Sequence, residues 1–352
     1  MSFAQYMDIA LYDELAGFYA TTGRAGRRGD FLTSPEVGPL FGALLARRLD
    51  EEWFALGSPE VFVVVEFGAG PGTLARSIAF AKPECAPALR YVMVERSAEQ
   101  RLLHAQHLDG WLGDLDAAGV DSFVRGVGAG PRFASSSIAP YGITGVVLAN
   151  ELLDNLAFDI VRHDGDGNFE RLDVRHGEDG LAFVVASTEV PAPFESVLSS
   201  ATPGEWMPLQ EHATQWLAAA IDRVDRGVVI AIDYGATTAE IAARPEMGWL
   251  RTFVGQERGG HPLDDPGSCD ITTDVAIDQL ATIARPSVMT TQRQFLERLG
   301  IAQLVEEGRQ IWTENASAPD VAALRARSRI REAEALLEPS GLGNFVVLEW
   351  TI

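Results

Sequence analysis

The stretch "VVVEFGAGPGTLARSI", residues 63–78, decides the fold because it joins an apolar run to a helix through a glycine-rich turn. The run is β-branched and aromatic, which is typical of a strand buried on both faces. Gly68, Gly70 and Gly72 follow it at alternate positions. Glycine permits positive φ and lets a ligand approach the backbone. The stretch therefore predicts a strand, a ligand-binding loop and the N-terminus of a helix. A plain tight connection remains the alternative.

Two acids lie beside this predicted loop. Glu66 stands near the end of the first strand, and Glu95 ends the next apolar run, "RYVMVERSAEQ". An acid at the end of a second strand can accept hydrogen bonds from both ribose hydroxyls of a nucleoside. An exposed carboxylate without such a role is the other interpretation.

The glycine spacing and the residues after it narrow the ligand class. The third glycine comes one residue too early for the dinucleotide fingerprint, which disfavours a dehydrogenase. No lysine follows the loop, which excludes a P-loop. A phosphate-free adenosyl cofactor fits both observations. The sequence therefore predicts S-adenosyl-L-methionine, with Glu66, Gly68, Gly70, Gly72 and Glu95 in its site.

Short apolar strands alternate with helices along much of the chain. The strands are predicted near residues 61–67, 91–95, 143–149, 227–233 and 344–350, and the helices near 97–109, 274–284, 290–299 and 318–338. This alternation predicts an α/β fold with a doubly wound, mostly parallel sheet. Residues 158–187 instead alternate polar and apolar side chains around Asp-Gly turns, which predicts an inserted antiparallel β lobe.

The N-terminal part of the chain predicts a helical lead-in. Ser34 is placed as the N-cap of a helix and Pro35 as its first residue, where the missing N–H has no cost. Pro39 is expected within the first turn of the same helix. The predicted division is a lead-in that serves as a lid (1–57), a core (58–157 and 226–352) and an inserted lobe (158–225) on the substrate side.

Polar residues follow the third predicted strand in "LANELLDNLAFD". Asn150, Glu151 and Asp154 stand where open α/β sheets place their ligands. Carboxylates there can bind a guanidinium through paired hydrogen bonds and orient its nitrogen toward a methyl donor. Capping of the next helix by Asn150 and Asp154 is the alternative, and both roles can hold together.

Two more segments end with candidate polar groups. The fourth strand ends in Asp233 and Tyr234, for which a structural role is equally open. The Gly/Pro-rich stretch after residue 250 places His261 among acids, and it is the fourth predicted catalytic residue beside Asn150, Glu151 and Asp154. The pair His104 and His107 has no third ligand, so it is interpreted as a surface pair, and no metal site is predicted.

Composition excludes several function classes. The formal net charge of the 352 residues is −22, so nucleic acid is not an expected partner. No apolar run is long enough to cross a bilayer. The two cysteines, Cys85 and Cys269, lie far apart and indicate a reducing compartment. With no signal or transit segment at the N-terminus, a cytoplasmic location is predicted.

Several motifs in order resemble one family. The segments "GDFLTSPEVGPLFG", "VVEFGAGPGTLA", "ANELLDNLAFD", "AIDYG" and "HPLDDPGSCDITTDV" are similar to those of the MidA-type S-adenosylmethionine-dependent methyltransferases, whose mitochondrial relatives are protein arginine methyltransferases that assist assembly of respiratory complex I. The resemblance implies a class I methyltransferase core and a protein substrate with an exposed arginine. It also implies that the lead-in folds over the cofactor, with Asp30, Phe31, Thr33 and Ser34 lining or closing the pocket.

The sequence departs from the family pattern on the substrate side. Asn155-Leu156-Ala157 replaces the usual Ala-Leu-Pro, and the approach to His261 is less regular. A methyltransferase with a small-molecule or non-arginine substrate therefore stays open as an alternative. So does a non-enzymatic assembly factor that retains the cofactor site, and so does a homodimer.

Overall fold

The computed structural model describes residues 1–21, 33–106, 108–178, 180–254 and 257–352. The strands of these residues are β1 Phe62–Phe67, β2 Leu89–Val94, β3 Trp111–Asp114, β4 Arg132–Ser136, β5 Ile143–Asn150, β6 Asp159–His163, β7 Phe169–Gly177, β8 Gly180–Thr188, β9 Met207–Leu209, β10 Val224–Asp233, β11 Gly235–Ala236, β12 Arg251–Val254, β13 Glu257–Arg258, β14 Asp270–Thr272, β15 Val275–Ala276, β16 Val288–Thr291 and β17 Val346–Thr351.

The helices of the same residues are α1 Phe3–Tyr12, α2 Phe18–Thr21, α3 Ser34–Val37, α4 Pro39–Ala55, α5 Thr73–Ala81, α6 Ala98–Arg101, α7 Ala117–Arg125, α8 Ala192–Leu198, α9 Glu211–Asp222, α10 Thr238–Ala242, α11 Ile277–Leu280, α12 Gln292–Arg298, α13 Ile301–Asn315 and α14 Val321–Leu336.

Internal contacts group the chain into two compact units. The first, here the lobe unit, takes the described residues within Met1–Phe31, Glu151–Ile221 and Asp233–Pro286. The second, here the sheet unit, takes those within Leu32–Asn150, Asp222–Ile232 and Ser287–Ile352. The division into lead-in, core and inserted lobe stays a prediction.

The sheet unit is built on an eight-stranded sheet in the order β16-β17-β10-β5-β1-β2-β4-β3. Strands β10, β5, β1, β2, β4 and β3 pair in parallel along this order, and β16 pairs antiparallel with β17. Phe62 and Val64 of β1 are buried in an apolar core that they share with Phe41 and Leu44 of α4 and Leu74 of α5. The predicted α/β fold with a mostly parallel sheet is confirmed.

The register of β1 brings three strand ends to one edge of this sheet. Phe67 lies opposite Val94 of β2 on one side and Ala149 of β5 on the other. Parallel strands present their carboxyl ends at the same edge, where such sheets bind ligands. The loops that follow β1, β2 and β5 therefore leave the sheet together.

The lobe unit contains the predicted meander. Strands β8, β7, β6 and β9 form a four-stranded antiparallel sheet in that order. Its apolar core includes Phe3 and Met7 of α1 with Phe158 and Trp249. A three-stranded sheet, β13-β12-β14, and a parallel pair, β11-β15, complete the lobe unit's strands among the described residues.

The lead-in differs from its prediction in helix placement. Thr33, not Ser34, stands at the N-cap, and the helix that begins at Ser34 ends at Val37. A second helix, α4, begins at Pro39 after the extended Gly38. A residue that precedes a proline is kept out of helical geometry by the proline ring, so one continuous helix was the wrong expectation.

One other helix prediction was wrong, and one helix was missed. The helix expected over 97–109 is regular only over α6, and turns follow it as far as Gln106. Helix α13 was not predicted, because its glycine at 308 and its many polar residues weaken the helical pattern. The structure explains that glycine, since a Cβ at Gly308 would lie 2.5 Å from the carbonyl oxygen of Ala326 in α14.

Candidate functional site

The glycine loop, Gly68–Gly72, leaves β1 with its backbone close to β2. The N–H groups of Gly68 and Ala69 both donate to the Val94 carbonyl, at 2.9 and 3.3 Å. The φ angles of Gly68, Gly70 and Gly72 are 65°, 51° and 77°, a region that favours glycine. A Cβ at Gly70 would meet no atom within 4 Å, so the loop borders open space there.

The third glycine is needed for packing. A Cβ at Gly72 would lie 3.1 Å from the Met93 sulfur and 3.2 Å from the His104 ring. Helix α5 begins at the next residue, Thr73, whose hydroxyl donates to Glu36 Oε1 at 2.8 Å. Helix α3 of the lead-in is thus bonded, through Glu36, to the helix start that follows the glycine loop.

Glu95 lies against the glycine loop. Its Oε2 accepts the Gly70 N–H at 2.9 Å, and its Oε1 accepts the Ser97 N–H at 2.8 Å. Burial raises the pKa of Glu95, and these backbone bonds act in the opposite direction. The Arg96 backbone also bonds this carboxylate, which has about four acceptor sites, so Glu95 keeps room for a further donor. The ribose-binding role of Glu95 stays a prediction.

His104 is fully buried, so its interpretation as a surface residue was wrong. Its Nε2 lies 2.7 Å from the Gly70 carbonyl oxygen and its Nδ1 lies 3.0 Å from Ser135 Oγ. Burial lowers the pKa of His104, which favours a neutral ring. In that form Nε2–H donates to Gly70 and Nδ1 accepts from Ser135. Sequence spacing carried no signal for this contact, and His107 lies outside the described residues.

Glu66 is a buried acid in β1. The Tyr91 hydroxyl donates to its Oε2 at 2.8 Å. Burial raises the pKa of Glu66 to about 8, although the Tyr91 bond acts to lower it. Its predicted part in cofactor binding stays a prediction, and the partner that the structure gives its Oε2 is Tyr91.

The lead-in residues predicted to close the cofactor pocket divide into two pairs. Asp30 and Phe31 lie outside the described residues. Thr33 is buried at the start of α3, and Ser34 is fully buried with its hydroxyl 3.1 Å from Gln292 Oε1. Both stay predictions as pocket residues.

Asn150 is the last residue of β5 and is buried in the sheet unit. The chain continues into the lobe unit at Glu151, which has a φ of 51°. Positive φ is costly for a residue with a side chain, by about 1–2 kcal/mol, and persists where surrounding contacts hold it. This backbone outlier therefore marks the turn after β5 as a constrained segment.

The lobe unit holds an acid cluster, which consists of Glu151, Asp154, Asp233, Asp270 and Asp274. The four aspartates are buried. Burial raises the pKa of Asp154, and the charges of Asp233 and Asp270 raise it further, while the positive charge of Arg251 acts in the opposite direction. Several like charges therefore act on one another in a poorly solvated region.

Asp154 differs from the other members of the acid cluster in its side chain. Its backbone is held, since its N–H donates to Asp233 Oδ2 at 3.2 Å and its carbonyl accepts the Thr273 N–H at 3.1 Å. Its side-chain Oδ1 is buried, and no donor among the described residues reaches it. A buried acceptor without a donor is costly, which indicates a place for a ligand with N–H groups.

Asp233 holds the turn that contains Asp154. Its Oδ2 accepts the N–H groups of Leu153 and Asp154, and its Oδ1 accepts that of Tyr234 at 2.8 Å. Burial raises the pKa of Asp233 to about 8, with the charge of Glu151 as the next cause. Asp233 thus has a structural role in positioning Asp154, as the sequence had left open.

The departure at Asn155 has a structural explanation in the lobe unit. Its side-chain Nδ2 donates to Asp270 Oδ1 at 2.9 Å and to the Ile271 carbonyl at 3.3 Å. The Tyr19 hydroxyl donates to the same Asp270 oxygen at 3.0 Å. The residues around Asp154 therefore form a connected polar network, of which the sequence predicted Glu151, Asp154 and Asp233 but not the contacts of Asn155 and Tyr19.

Two arginines of the lobe unit were not predicted as part of this site. Asp274 accepts hydrogen bonds from both Arg244 and Arg251. Their positions in the loosely patterned stretch after residue 235 gave no signal, because the contacts that bring them to Asp274 are long-range.

His261 stays a predicted catalytic residue. It is exposed, its ring packs edge-on against Phe183 with the ring centres 5.4 Å apart, and its Nδ1 lies 3.3 Å from the Leu263 backbone nitrogen.

Across the described ranges, no group of three or more His, Cys, Asp or Glu side chains is placed to hold a metal ion. The described helices also include none with the length and apolar character that crossing a membrane requires.

Comparison with known families identifies this architecture. A family described as "Putative S-adenosyl-L-methionine-dependent methyltransferase" matches residues 44–294. The chain belongs to this family. The enzyme class and the cofactor that the glycine loop predicted are therefore confirmed.

A crystal structure supports the same assignment of this methyltransferase. A protein from Burkholderia thailandensis, described as a likely methyl transferase and solved with S-adenosyl-homocysteine bound, is 25% identical to this chain. It superposes with a TM-score of 0.78 over 100% of this chain and 88% of that one. A native structure from the same organism is 24% identical with a TM-score of 0.75, over 100% of this chain and 87% of that one, and shares the fold.

Curated relatives of the methyltransferase carry a more specific name. The protein named mitochondrial protein arginine methyltransferase NDUFAF7 homolog of Drosophila melanogaster is 29% identical over 80% of this chain and 66% of its own length. The human protein named mitochondrial protein arginine methyltransferase NDUFAF7 is 29% identical over 85% of this chain and 69% of its own. The chain thus spans about two thirds of the length of these relatives.

This comparison contradicts the predicted cytoplasmic location, because both relatives are named mitochondrial. Few cysteines indicate a reducing environment and do not distinguish one reducing compartment from another. The N-terminal sequence carries no weight here either, since the chain aligns with only part of each relative.

The glycine loop of the methyltransferase fits its cofactor. Gly70 borders open space that a side chain would enter, and the Glu95 carboxylate keeps acceptor capacity for a further donor such as a hydroxyl group. The loop glycines and Glu95 thus stay the predicted residues for holding S-adenosylmethionine, beside Glu66, Thr33 and Ser34. When bound, this cofactor supplies an electrophilic methyl group on a sulfonium centre.

Proposed function

We propose that this methyltransferase acts on the guanidinium group of an arginine in a protein substrate. The observation that carries the proposal is the buried, unpartnered Oδ1 of Asp154 within the acid cluster. The names of the curated relatives, which are protein arginine methyltransferases, support the same substrate class.

The charge of the acid cluster supports a cationic substrate. The cluster has five carboxyl groups, and the two arginines bonded to it among the described residues, Arg244 and Arg251, both pair with Asp274. A buried excess of carboxylates must bind protons or pair with a cation. A guanidinium meets this need, because it carries a charge that does not titrate and five N–H donors in a planar fork.

In this proposal Asp154 binds the substrate through its Oδ1, and Glu151 accepts a second N–H from the same guanidinium. Alignment of one nitrogen and exclusion of water are the main contributions that a methyl-transfer site makes. The nitrogen that gains a methyl group must lose a proton. Burial raises the pKa of Asp154, so its carboxylate is a suitable acceptor for that proton.

The remaining predicted residues have supporting parts in the proposal. Asn150 ends the strand that leads directly into Glu151. Asp233 holds the backbone of Leu153 and Asp154. His261, whose ring is exposed, is proposed as a contact for the protein substrate rather than for the guanidinium.

The test uses cofactor with a deuterated methyl group and protein extract from cells that lack this gene. Mass spectrometry should find the label on arginine side chains. In the variants Asp154→Asn and Glu151→Gln the labelling rate should fall by about 100-fold or more, which is typical for the loss of an acid–base group. Calorimetry should show that both variants bind S-adenosylmethionine as the parent protein does.

The matched control is Asp278→Asn, which removes a partly buried carboxylate of the same lobe unit that bonds Thr238 and lies outside the acid cluster. It should label arginine at the parent rate. Label found on lysine or on small molecules would support the alternative substrate classes instead. Label on arginine that survives Asp154→Asn would remove the proposed role of Asp154.

A further inference from the structure

The lobe unit holds a resident guanidinium close to the acid cluster. The residue in question is Arg251, the first of β12, whose Cα pairs with that of Thr272 in β14. The next residue, Thr273, donates its N–H to the carbonyl of Asp154 at 3.1 Å. Arg251 thus belongs to the strand pair that is bonded directly to the Asp154 backbone, and its charge acts on the Asp154 carboxyl.

The arginine does not bond the unpartnered carboxylate oxygen. Its Nη1 and Nη2 lie 3.2 and 3.3 Å from Asp274 Oδ1. Its guanidinium carbon also lies 4.9 Å from the centre of the Tyr234 ring. Asp154 Oδ1 has no donor within the described part of the chain, so the guanidinium of Arg251 pairs with Asp274 and not with this oxygen.

Asp274 is well suited to hold it. This side chain is buried, and its other oxygen, Oδ2, bonds Arg244. The backbone carbonyl of Asp274 accepts a hydrogen bond from Gln210 Nε2 at 3.0 Å, which fixes the backbone of Asp274. Two arginines on one carboxylate leave it fully paired.

We propose that Asp274 is a positioning residue that holds Arg251 away from Asp154 and so keeps the Asp154 carboxylate open for the substrate guanidinium. The inference rests on the proposed function, since it concerns how that same carboxylate stays available. A resident arginine freed from Asp274 is tethered near Asp154 and competes at high effective concentration with any arginine from outside.

Replacement of Asp274 can lower function in two ways, by destabilising the lobe unit or by releasing Arg251. If Asp274 served only to stabilise the lobe unit, its replacement would weaken every function and removal of Arg251 would not help. If it restrains Arg251, removal of the arginine must restore what the loss of Asp274 took away. A double-variant comparison therefore decides between them.

The test measures binding of Nα-acetyl-L-arginine methylamide to the full chain by titration calorimetry with S-adenosyl-homocysteine present. The neutral citrulline analogue is the matched control ligand. We expect Asp274→Asn to weaken binding of the arginine probe by about 10-fold or more, because the freed Arg251 then competes with the probe for the charge-assisted bonds of Asp154. Its affinity for S-adenosyl-homocysteine should not change.

The second step adds Arg251→Gln to Asp274→Asn, and the affinity for the arginine probe should return to within about 3-fold of the parent value. Arg251→Gln alone should bind the probe at least as tightly as the parent, which keeps the inference testable if Asp274→Asn does not fold.

Three results would count against the inference. Unchanged probe affinity in Asp274→Asn overturns it, and so does a loss that Arg251→Gln does not restore. Weaker binding in Arg251→Gln alone also overturns it, because Arg251 would then assist the substrate. A parent protein that binds the citrulline analogue as well as the arginine probe overturns the proposed function, and this inference falls with it.

Discussion

The glycine loop and the acid cluster differ in how their polar groups are satisfied. Around the loop, Glu95 accepts the backbone N–H groups of Gly70 and Ser97, and His104 bonds Gly70 and Ser135. The loop borders open space at Gly70, where an added Cβ would meet no atom within 4 Å. In the acid cluster, Asp154 has a fixed backbone and a buried oxygen without a donor.

The difference teaches that the two regions recognise ligands by different physical means. The loop is complete before a ligand arrives, so it selects by shape and by the acceptor capacity that remains on Glu95. The acid cluster is incomplete in its charge balance, so it selects by charge and by donors. A change in the loop should therefore act on fit, and a change in the cluster should act on electrostatics.

The largest expected effect is on fit at the loop. In Gly70→Val a side chain enters the open space beside the loop, and we expect S-adenosylmethionine affinity to fall by about 100-fold, because overpacking a well-formed site costs up to about 3 kcal/mol. Titration calorimetry with the cofactor measures the affinity directly.

The matched control for this change is Gly57→Val. Gly57 also has a positive φ, 84°, and a Cβ there would also meet no atom within 4 Å, but it lies after α4 and away from the loop. Both variants should lose about 1–2 kcal/mol of stability from backbone strain. Equal cofactor affinity in the two variants would show that the loop does not border the cofactor.

The sequence was sufficient for the loop because its signals are local. An apolar run, three glycines and a helix start within residues 63–78 predicted β1, the loop and α5. The acid cluster was predicted only in part. Glu151, Asp154 and Asp233 follow or end strands, and could be placed at strand ends.

The rest of the cluster depends on contacts between distant residues. Arg244 and Arg251 reach Asp274 from an irregular stretch, and Tyr19 reaches Asp270 across most of the chain. His104 has the same explanation, since its ring is buried by a loop and a strand that are distant in sequence. Burial of a polar side chain is a tertiary property, and periodicity within one helix does not contain it.

The second expected effect tests whether Asp233 holds the turn of the acid cluster. In Asp233→Asn one acceptor oxygen becomes an NH₂ group that faces backbone N–H donors. We expect the free energy of unfolding to fall by about 2 kcal/mol, the usual cost of buried groups that lose their partners. Urea unfolding monitored by circular dichroism measures it.

The control for Asp233→Asn is again Asp278→Asn, which also removes a carboxylate that accepts backbone N–H groups. Both changes should lower stability, but only Asp233→Asn should weaken binding of the arginine probe, because only Asp233 positions Asp154. A stable Asp233→Asn variant with unchanged probe affinity would show that the turn is held by other contacts.

The smallest expected effect is on the pH dependence of the free energy of unfolding. It concerns Glu66, the buried acid of β1, which lies just before the loop. Burial raises the pKa of Glu66 from 4.5 to about 8, so the folded state binds a proton that the unfolded state has lost. Stability from this group is full below about pH 4.5 and is lost as the pH rises toward 8. Between pH 6 and pH 7 it should fall by about 1 kcal/mol.

In Glu66→Gln, a neutral side chain that still accepts from Tyr91, this part of the pH dependence should disappear from urea unfolding curves. Asp233, with a pKa also raised to about 8, contributes a similar slope from the acid cluster and should retain it in that variant. An unaltered slope in Glu66→Gln would mean that Glu66 is ionised in the folded protein.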